Sequence, residues 1–359
     1  MEEYDVIVVG AGPCGTSAAR TVAEKGLNAI VIEEHAQIGL PEHCVGVLSA
    51  TKTGFLEKLV EEMEERVVRH KVMARRIYAP SGRVAQTPLD HTGACFIERN
   101  LFDIELARLA KEAGAEIVIN TRVSGLIKEN GVVKGVKTGS PKRPEFRGKV
   151  VIAADGLRAL IKGLAKWEGL TRPDQMIISG LKWHLSGVKD VEPGILEFHL
   201  GSLCDRGFVT VVGLANGCCM TDIVSQSDFE KIRDGNWALS KKIKDCAVLR
   251  VTGFSHPIPM GIMLPKKVKD GLILGGDAAG FISIDQAVSS GMSAGKVAAE
   301  AVKAGDVSEK QMAVYEDLCR KLEEEKEWYT HQFHSLERFF GLPDEEIEKK
   351  FRESEPDII

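Results

Sequence analysis

The sequence predicts an α/β chain. It has a discontinuous domain built on buried parallel strands, an inserted and mainly antiparallel sheet, and a helical C-terminal extension. Three observations predict it. A short apolar run at Asp5–Val9 leads into a glycine-rich turn and a helix of small residues. A second glycine-rich turn, carrying an Asp, follows another apolar run at Gly271–Leu274 and again opens a small-residue helix. Between them, residues 177–258 are dominated by short strand signals.

The chain has 359 residues, enough for a core and one or two subdomains. At 44% hydrophobic and 28% charged residues it reads as globular, and 36 glycines point to many tight turns. A net charge of −5 with no long basic block argues against a nucleic-acid partner. Met1-Glu2-Glu3-Tyr4-Asp5 runs into the first strand without a basic leader, and no apolar run is long enough to span a bilayer. The expected location is cytoplasmic. The eight cysteines form no paired CxxC ladder, so no metal site is expected and reduced thiols are the default.

The elements follow in order. Asp5–Val9 reads as a buried parallel strand. A helix runs from about Pro13 to Lys25 and ends at Gly26; Asn28–Ile32 is the next strand and ends at Glu33. Val67–Thr87 carries short strands around Pro80-Ser81-Gly82. Asn100–Ala113 is a helix with Leu101, Ile104, Leu106, Leu109 and Ala110 on its apolar side. Ile117–Ile119, Val123–Ile127 and Val132–Val136 are strands, the last two joined at Asn130-Gly131. Lys149–Ala153 is a buried strand closed by Ala154-Asp155-Gly156. The inserted sheet is read from LKWHL, ILEFHL, FVTVVGL and CCMTDIV. A helix follows from about Asp285 to Ala304, with Asp285 as its N-cap, and the chain beyond Ser308 is charged and helical. The predicted domains are 1–65, 95–165 and 255–305; 66–94 and 166–254; and a helical region at 306–359.

Gly10-Ala11-Gly12-Pro13-Cys14-Gly15 fits G-x-G-x-x-G between a strand and a helix. The first Gly permits the turn, the second lets a pyrophosphate approach, and the third lets helix and strand pack closely. The helix N-terminus favours the negative charge. Glu33, about twenty residues on, can accept from a ribose hydroxyl. This predicts dinucleotide binding. Gly275-Gly276-Asp277-Ala278-Ala279-Gly280 adds a second loop, which suggests an extended cofactor held at two points, with Asp277 accepting from ribityl hydroxyls. The domain is therefore read as a discontinuous Rossmann-type FAD-binding domain, and the inserted sheet as a substrate domain.

These motifs, with Arg99 before a helix ending in Ala-Gly-Ala and Ala-Asp-Gly at 154–156, resemble the hydroxylase-like branch of the glutathione-reductase-type FAD fold. Pro41-Glu42-His43-Cys44-Val45-Gly46 is similar to the Pro-x-x-Cys-x-Gly segment of the geranylgeranyl reductase family. That resemblance implies an FAD-dependent reductase saturating carbon–carbon double bonds of an isoprenoid lipid. It implies that Gly10, Gly12, Pro13, Gly15 and Glu33 hold the ADP half of FAD. Arg99, Asp155, Gly156, Gly276 and Asp277 would line the pyrophosphate and ribityl region, with Val123 beside the adenine. Cys44 would lie by the flavin ring as the catalytic residue, with His43 pointing elsewhere. The implied partners are an apolar isoprenoid substrate, a peripheral contact at the inner membrane face and an electron donor, NAD(P)H or a ferredoxin. Alternatives are a quinone-linked electron-transfer flavoprotein dehydrogenase, an FAD-dependent hydroxylase and a flavin-binding redox sensor.

The sequence departs from the family in two places. Phe208–Gly213 stands where the family has an aromatic Tyr-x-Trp-x-Phe-Pro strand, and residues 282–287 lack its Pro and Gly-x-Gly. Cys218 and Cys219 are expected to be buried structural thiols, and His184 and His199 ordinary sheet residues. Glu323–Glu325 is expected to be a solvated helix face. Trp328, Tyr329, Phe333, Leu336, Phe339 and Phe340 are expected to serve core packing or dimerisation.

Overall fold

A computed structural model describes residues 3–42, 44–48, 55–157, 164, 168–170, 176–204, 207–223, 225–258, 264–281, 283–324, 339 and 341–353. The chain divides into two compact units. The first comprises Met1–Leu40, Asn100–Ile178 and His256–Glu325, and the second Pro41–Arg99, Ser179–Ser255 and Lys326–Ile359.

The first unit is built on an eight-stranded sheet. Its parallel core runs, in spatial order, Leu272–Leu274, Glu145–Ala153, Glu3–Val9, Ala29–Ile32 and Glu116–Val118. The first four of these strands are largely buried on both faces, which is why they read as continuous Val/Ile runs rather than alternating ones, whereas the edge strand Glu116–Val118 is partly exposed. Val123–Glu129 and Val132–Thr138 branch off as an antiparallel pair, joined at Asn130 (φ 50) and Gly131 (φ 86) as Asn-Gly demands.

One face is covered by Pro13–Glu24 and Ile284–Ala304, packed on each other. Their approach depends on small residues: a Cβ on Gly291 would collide with the Cys14 carbonyl, and one on Gly295 with that of Ala18. The long helix starts at Ile284, with Ser283 as N-cap accepting from the Gln286 N–H at 3.4 Å. Asp285 is therefore not the cap but a buried first-turn residue. In the helix Arg99–Glu112 the buried residues are Phe102, Asp103, Leu106, Ala107 and Ala110, while Leu101 and Ile104 are 42% and 37% exposed. The apolar stripe is thus rotated from the predicted one, toward Phe102 and away from Leu101.

The second unit holds a seven-stranded sheet in the order Ala247–Ile258, Met176–Ser186, Cys219–Ile223, Phe208–Gly213, Ile195–Leu200, Ala74–Tyr78 and Val84–Pro88. Among the described pairings one is parallel, Ile195–Leu200 with Ala74–Tyr78. Two helices, Gln226–Asp234 and Ala238–Ile243, cover one face; they were not predicted. Phe229, Ile232, Leu239 and Ile243 pack there against Trp183, Leu185, Val209, Val211 and Cys219. Trp183 stacks on Phe229 at 4.2 Å between centroids. All six residues of Phe208–Gly213 are buried.

Beyond residue 308 the described chain is helical, at Glu309–Met312, Val314–Glu324 and Asp344–Glu353. Phe339 is buried against Phe351, in keeping with a packing role; Trp328, Tyr329, Phe333, Leu336 and Phe340 lie outside the described residues. Glu324 is exposed as expected, Glu323 is half-buried 3.6 Å from the Lys267 ammonium, and Glu325 is outside the described residues.

Candidate functional site

In the first unit the parallel strands end in one register row: Leu274, Ala153, Val9, Ile32 and Val118. The turns predicted to hold a dinucleotide therefore leave the same edge of the sheet, the carboxyl ends at which open α/β sheets bind ligands. Gly10 sits at φ +99, a conformation that a side chain would strain, and a Cβ there would collide with the Ala154 carbonyl. A Cβ on Gly15 would collide with the Gly10 carbonyl, so this glycine lets the helix start against the strand. Gly12 differs: a Cβ there meets no protein atom within 4 Å. The second glycine thus opens onto free space at the N-terminus of Pro13–Glu24, where Pro13 is the first helical residue.

Glu33 is nearly buried, and its carboxylate is held by its own unit. Oε2 accepts from the Ala11 N–H at 2.8 Å, and Oε1 accepts from the His35 N–H at 2.9 Å and faces His35 Nδ1 at 2.6 Å. His35 is a contact that the sequence reading missed. The Thr121 N–H donates to the Glu33 carbonyl, which draws the segment before Val123 alongside Glu33.

The remaining two turns pack on the first. The Ala154 N–H donates to the Val9 carbonyl, and the Gly275 N–H to the Ala153 carbonyl. Gly276 (φ +60) donates to Ser290 Oγ at 3.0 Å, and a Cβ on it would press on Cys14. Asp155 Oδ2 accepts from the Leu164 N–H at 3.3 Å, while Oδ1 is shielded and has no protein partner. Burial pushes its carboxyl up to about 6, against the lowering effect of the Leu164 N–H. Asp277 lies in the short 3-10 turn Gly276–Ala279. Open space at Gly12 and an unpartnered carboxylate oxygen at Asp155 fit a group that brings both phosphate and hydroxyl donors.

In the second unit, Glu42 is 3% exposed. Its Oε1 accepts from the Lys182 ammonium at 3.1 Å; its Oε2 faces Arg250 at 3.7 Å and His184 Nε2 at 3.8 Å. Lys182 also donates to the Cys44 carbonyl. Lys182 and His184 alternate with Trp183 and Leu185, so they occupy the face of the sheet opposite the helices. Burial lowers the Lys182 pKa, opposed by Glu42. Burial, then Lys182, pulls His184 down to about 4, so its ring is neutral at pH 7.

Cys44 is half-buried, and the Gly46 N–H donates to its sulfur at 3.3 Å. Gly46 has φ +79, and a Cβ on it would strike the Ile97 carbonyl. Arg99, at the start of Arg99–Glu112, belongs to this unit, and His43 lies outside the described residues. Elsewhere, burial pushes the Cys219 thiol up to about 12, whereas Cys218 is only half-buried, in the turn before the strand. His199 is stacked on Tyr78 at 4.5 Å and bonded to Glu197 at 2.9 Å, and Lys242 binds both Glu197 oxygens. Among the described residues no group of His, Cys, Asp and Glu could hold a metal ion.

Fold and loops define a dinucleotide-binding protein of the α/β class. A family model described as an FAD binding domain matches residues 3–191, and FAD is the cofactor. The chain is 35% identical to the digeranylgeranylglycerophospholipid reductase of Methanocella arvoryzae, over 89% of this chain and 83% of that one. It is 33% identical to the enzyme of that name from Thermoplasma volcanium, over 97% and 91%. A crystal structure of a geranylgeranyl bacteriochlorophyll reductase-like protein from Thermoplasma acidophilum superposes with a TM-score of 0.78 at 29% identity, over 97% of this chain and 90% of that one. The chain belongs to the geranylgeranyl reductase family of FAD-dependent oxidoreductases.

Proposed function

We propose that this enzyme saturates carbon–carbon double bonds in the geranylgeranyl chains of a glycerophospholipid. The observation that carries this reading is similarity along nearly the whole chain to enzymes named digeranylgeranylglycerophospholipid reductase. Reduced FAD, when bound, would supply a hydride to one carbon of the double bond, and a proton, ultimately from water, would complete the other.

The chain's own residues bind and orient. Gly10, Gly12, Pro13, Gly15 and Glu33 hold the ADP half, with Val123 beside the adenine. Arg99, Asp155, Gly156, Gly276 and Asp277 serve the pyrophosphate and ribityl hydroxyls. Cys44 is the catalytic residue. The first unit is the FAD domain and the second supplies the substrate side. Among the described residues no helix is long and apolar enough to cross a membrane. In this reading the lipid is met at the membrane surface, and electrons come from NAD(P)H or a ferredoxin-type partner.

Incubating the FAD-loaded enzyme with a chemical reductant and a digeranylgeranyl glycerophospholipid tests the proposal. Lipid mass spectra should show one hydrogen pair gained per saturated bond. Unchanged lipid masses under complete flavin reduction would overturn it.

A further inference from the structure

We infer that Lys182 is the residue that positions Cys44, with Glu42 as the anion that keeps Lys182 in place. Its consequence for turnover rests on the reading of Cys44 as catalytic.

Lys182 is 1% exposed on its side chain, and its ammonium serves two residues of one short segment. It donates to the Glu42 carboxylate at 3.1 Å and to the Cys44 backbone carbonyl. The Cys44 main chain and the Glu42 side chain are thereby held by one ammonium on a strand far away in sequence. The sulfur is fixed separately, by the Gly46 N–H at 3.3 Å. Gly46 is itself anchored, since its carbonyl accepts from the Ile97 N–H at 2.8 Å.

A buried ammonium is an expensive way to fill this space. For packing alone, an apolar side chain of similar length would serve as well or better. What the ammonium adds is direction: donors aimed at two defined oxygens. Arg250 and His184 approach the other Glu42 oxygen, so the carboxylate is held from two sides. The neutral His184 ring adds no competing positive charge to the pair at pH 7.

The test uses the full-length, FAD-loaded enzyme and four variants: Lys182→Met, Glu42→Gln, Cys44→Ser and the double variant Lys182→Met/Cys44→Ser. Alkylation of Cys44 by iodoacetamide is read by peptide mass. The half-buried Cys218 and Cys246 serve as internal references. Lys182→Met should change the Cys44 rate, relative to both references, by about tenfold, the scale of a lost charge-assisted hydrogen bond. Turnover should fall about as far, with KM and FAD content retained. Added to Cys44→Ser, Lys182→Met should cost less than about a further twofold, because the two residues act as one unit. Glu42→Gln keeps the shape of the site and should reproduce the alkylation change if Lys182→Met does not fold.

An unchanged Cys44 rate in Lys182→Met overturns the inference. So does a fully additive double variant with lowered FAD content, which would assign Lys182 to stability alone. If Cys44→Ser turns over like wild type while Lys182→Met still shifts alkylation, the thiol has no part in turnover and the positioning stands.

Discussion

The Ala11 N–H donates to Oε2 of Glu33 at 2.8 Å, tying the turn after the first strand to the end of the second. The carboxylate is thus oriented by the chain itself, and under the proposed role a ribose hydroxyl would add to an acceptor already fixed. Glu33→Ala removes both roles. FAD affinity should fall by about 1–3 kcal/mol, the scale of hydrogen bonds to a charged acceptor. Fluorescence titration of the apoprotein measures it, and unchanged affinity would leave Glu33 as a loop anchor only.

Gly12 and Gly15 belong to one motif but should fail differently. A Cβ on Gly12 meets no protein atom within 4 Å, so Gly12→Val should fold with a near-normal melting temperature and lack FAD. A Cβ on Gly15 collides with the Gly10 carbonyl, so Gly15→Ala should lower the melting temperature of the apoprotein itself. Thermal scans with and without FAD separate the two.

Asp155 predicts a pH dependence of apoprotein stability. Its carboxyl is pushed up to about 6 by burial, whereas an unfolded Asp titrates at about 4. Below pH about 4 both states hold the proton. As the pH rises through 6 the unfolded carboxyl ionises first, so the folded state loses stability, by at most about 3 kcal/mol. Asp155→Asn should match wild type near pH 4 and exceed it above pH 6 in urea melts. A constant difference at all pH values would contradict the assignment.

Much of this was legible in the sequence because the signals were local. Asp5–Val9, the glycine turn and Glu33 lie within one βαβ unit, and strand, turn and helix each carry their own marks. Asn130-Gly131 could be read for the same reason. The stripe on Arg99–Glu112 was misread because Leu101 and Ile104 also fit helical spacing; only the sheet decides which face is buried. The cap of Ile284–Ala304 was placed on Asp285 although Ser283 is an equally good capping type two residues earlier. Glu42 stands in the Pro41–Gly46 motif, but its partner Lys182 is 140 residues away, and LKWHL reads simply as a strand. A Lys and a His at alternate positions of an otherwise apolar strand were the available signal.

The buried group around Glu197 should be structural. Lys242 binds both Glu197 oxygens, at 2.8 and 2.9 Å, and the Asp190 carbonyl at 2.7 Å. Lys242→Met leaves a buried carboxylate without its cation and should cost about 3–5 kcal/mol in urea melts. FAD content of the folded fraction should be unaffected. Near-normal stability would mean that Glu197 takes up a proton or water at little cost.

In the proposed reaction, reduced flavin on this chain delivers its electrons to an isoprenoid double bond. The most direct measurement is stopped-flow absorbance of the anaerobic, dithionite-reduced enzyme mixed with a digeranylgeranyl glycerophospholipid in vesicles. The oxidised-flavin band should return on adding this lipid, and should not return on adding its saturated counterpart. Reduced flavin that survives the unsaturated lipid but is reoxidised by a quinone or by oxygen would contradict it.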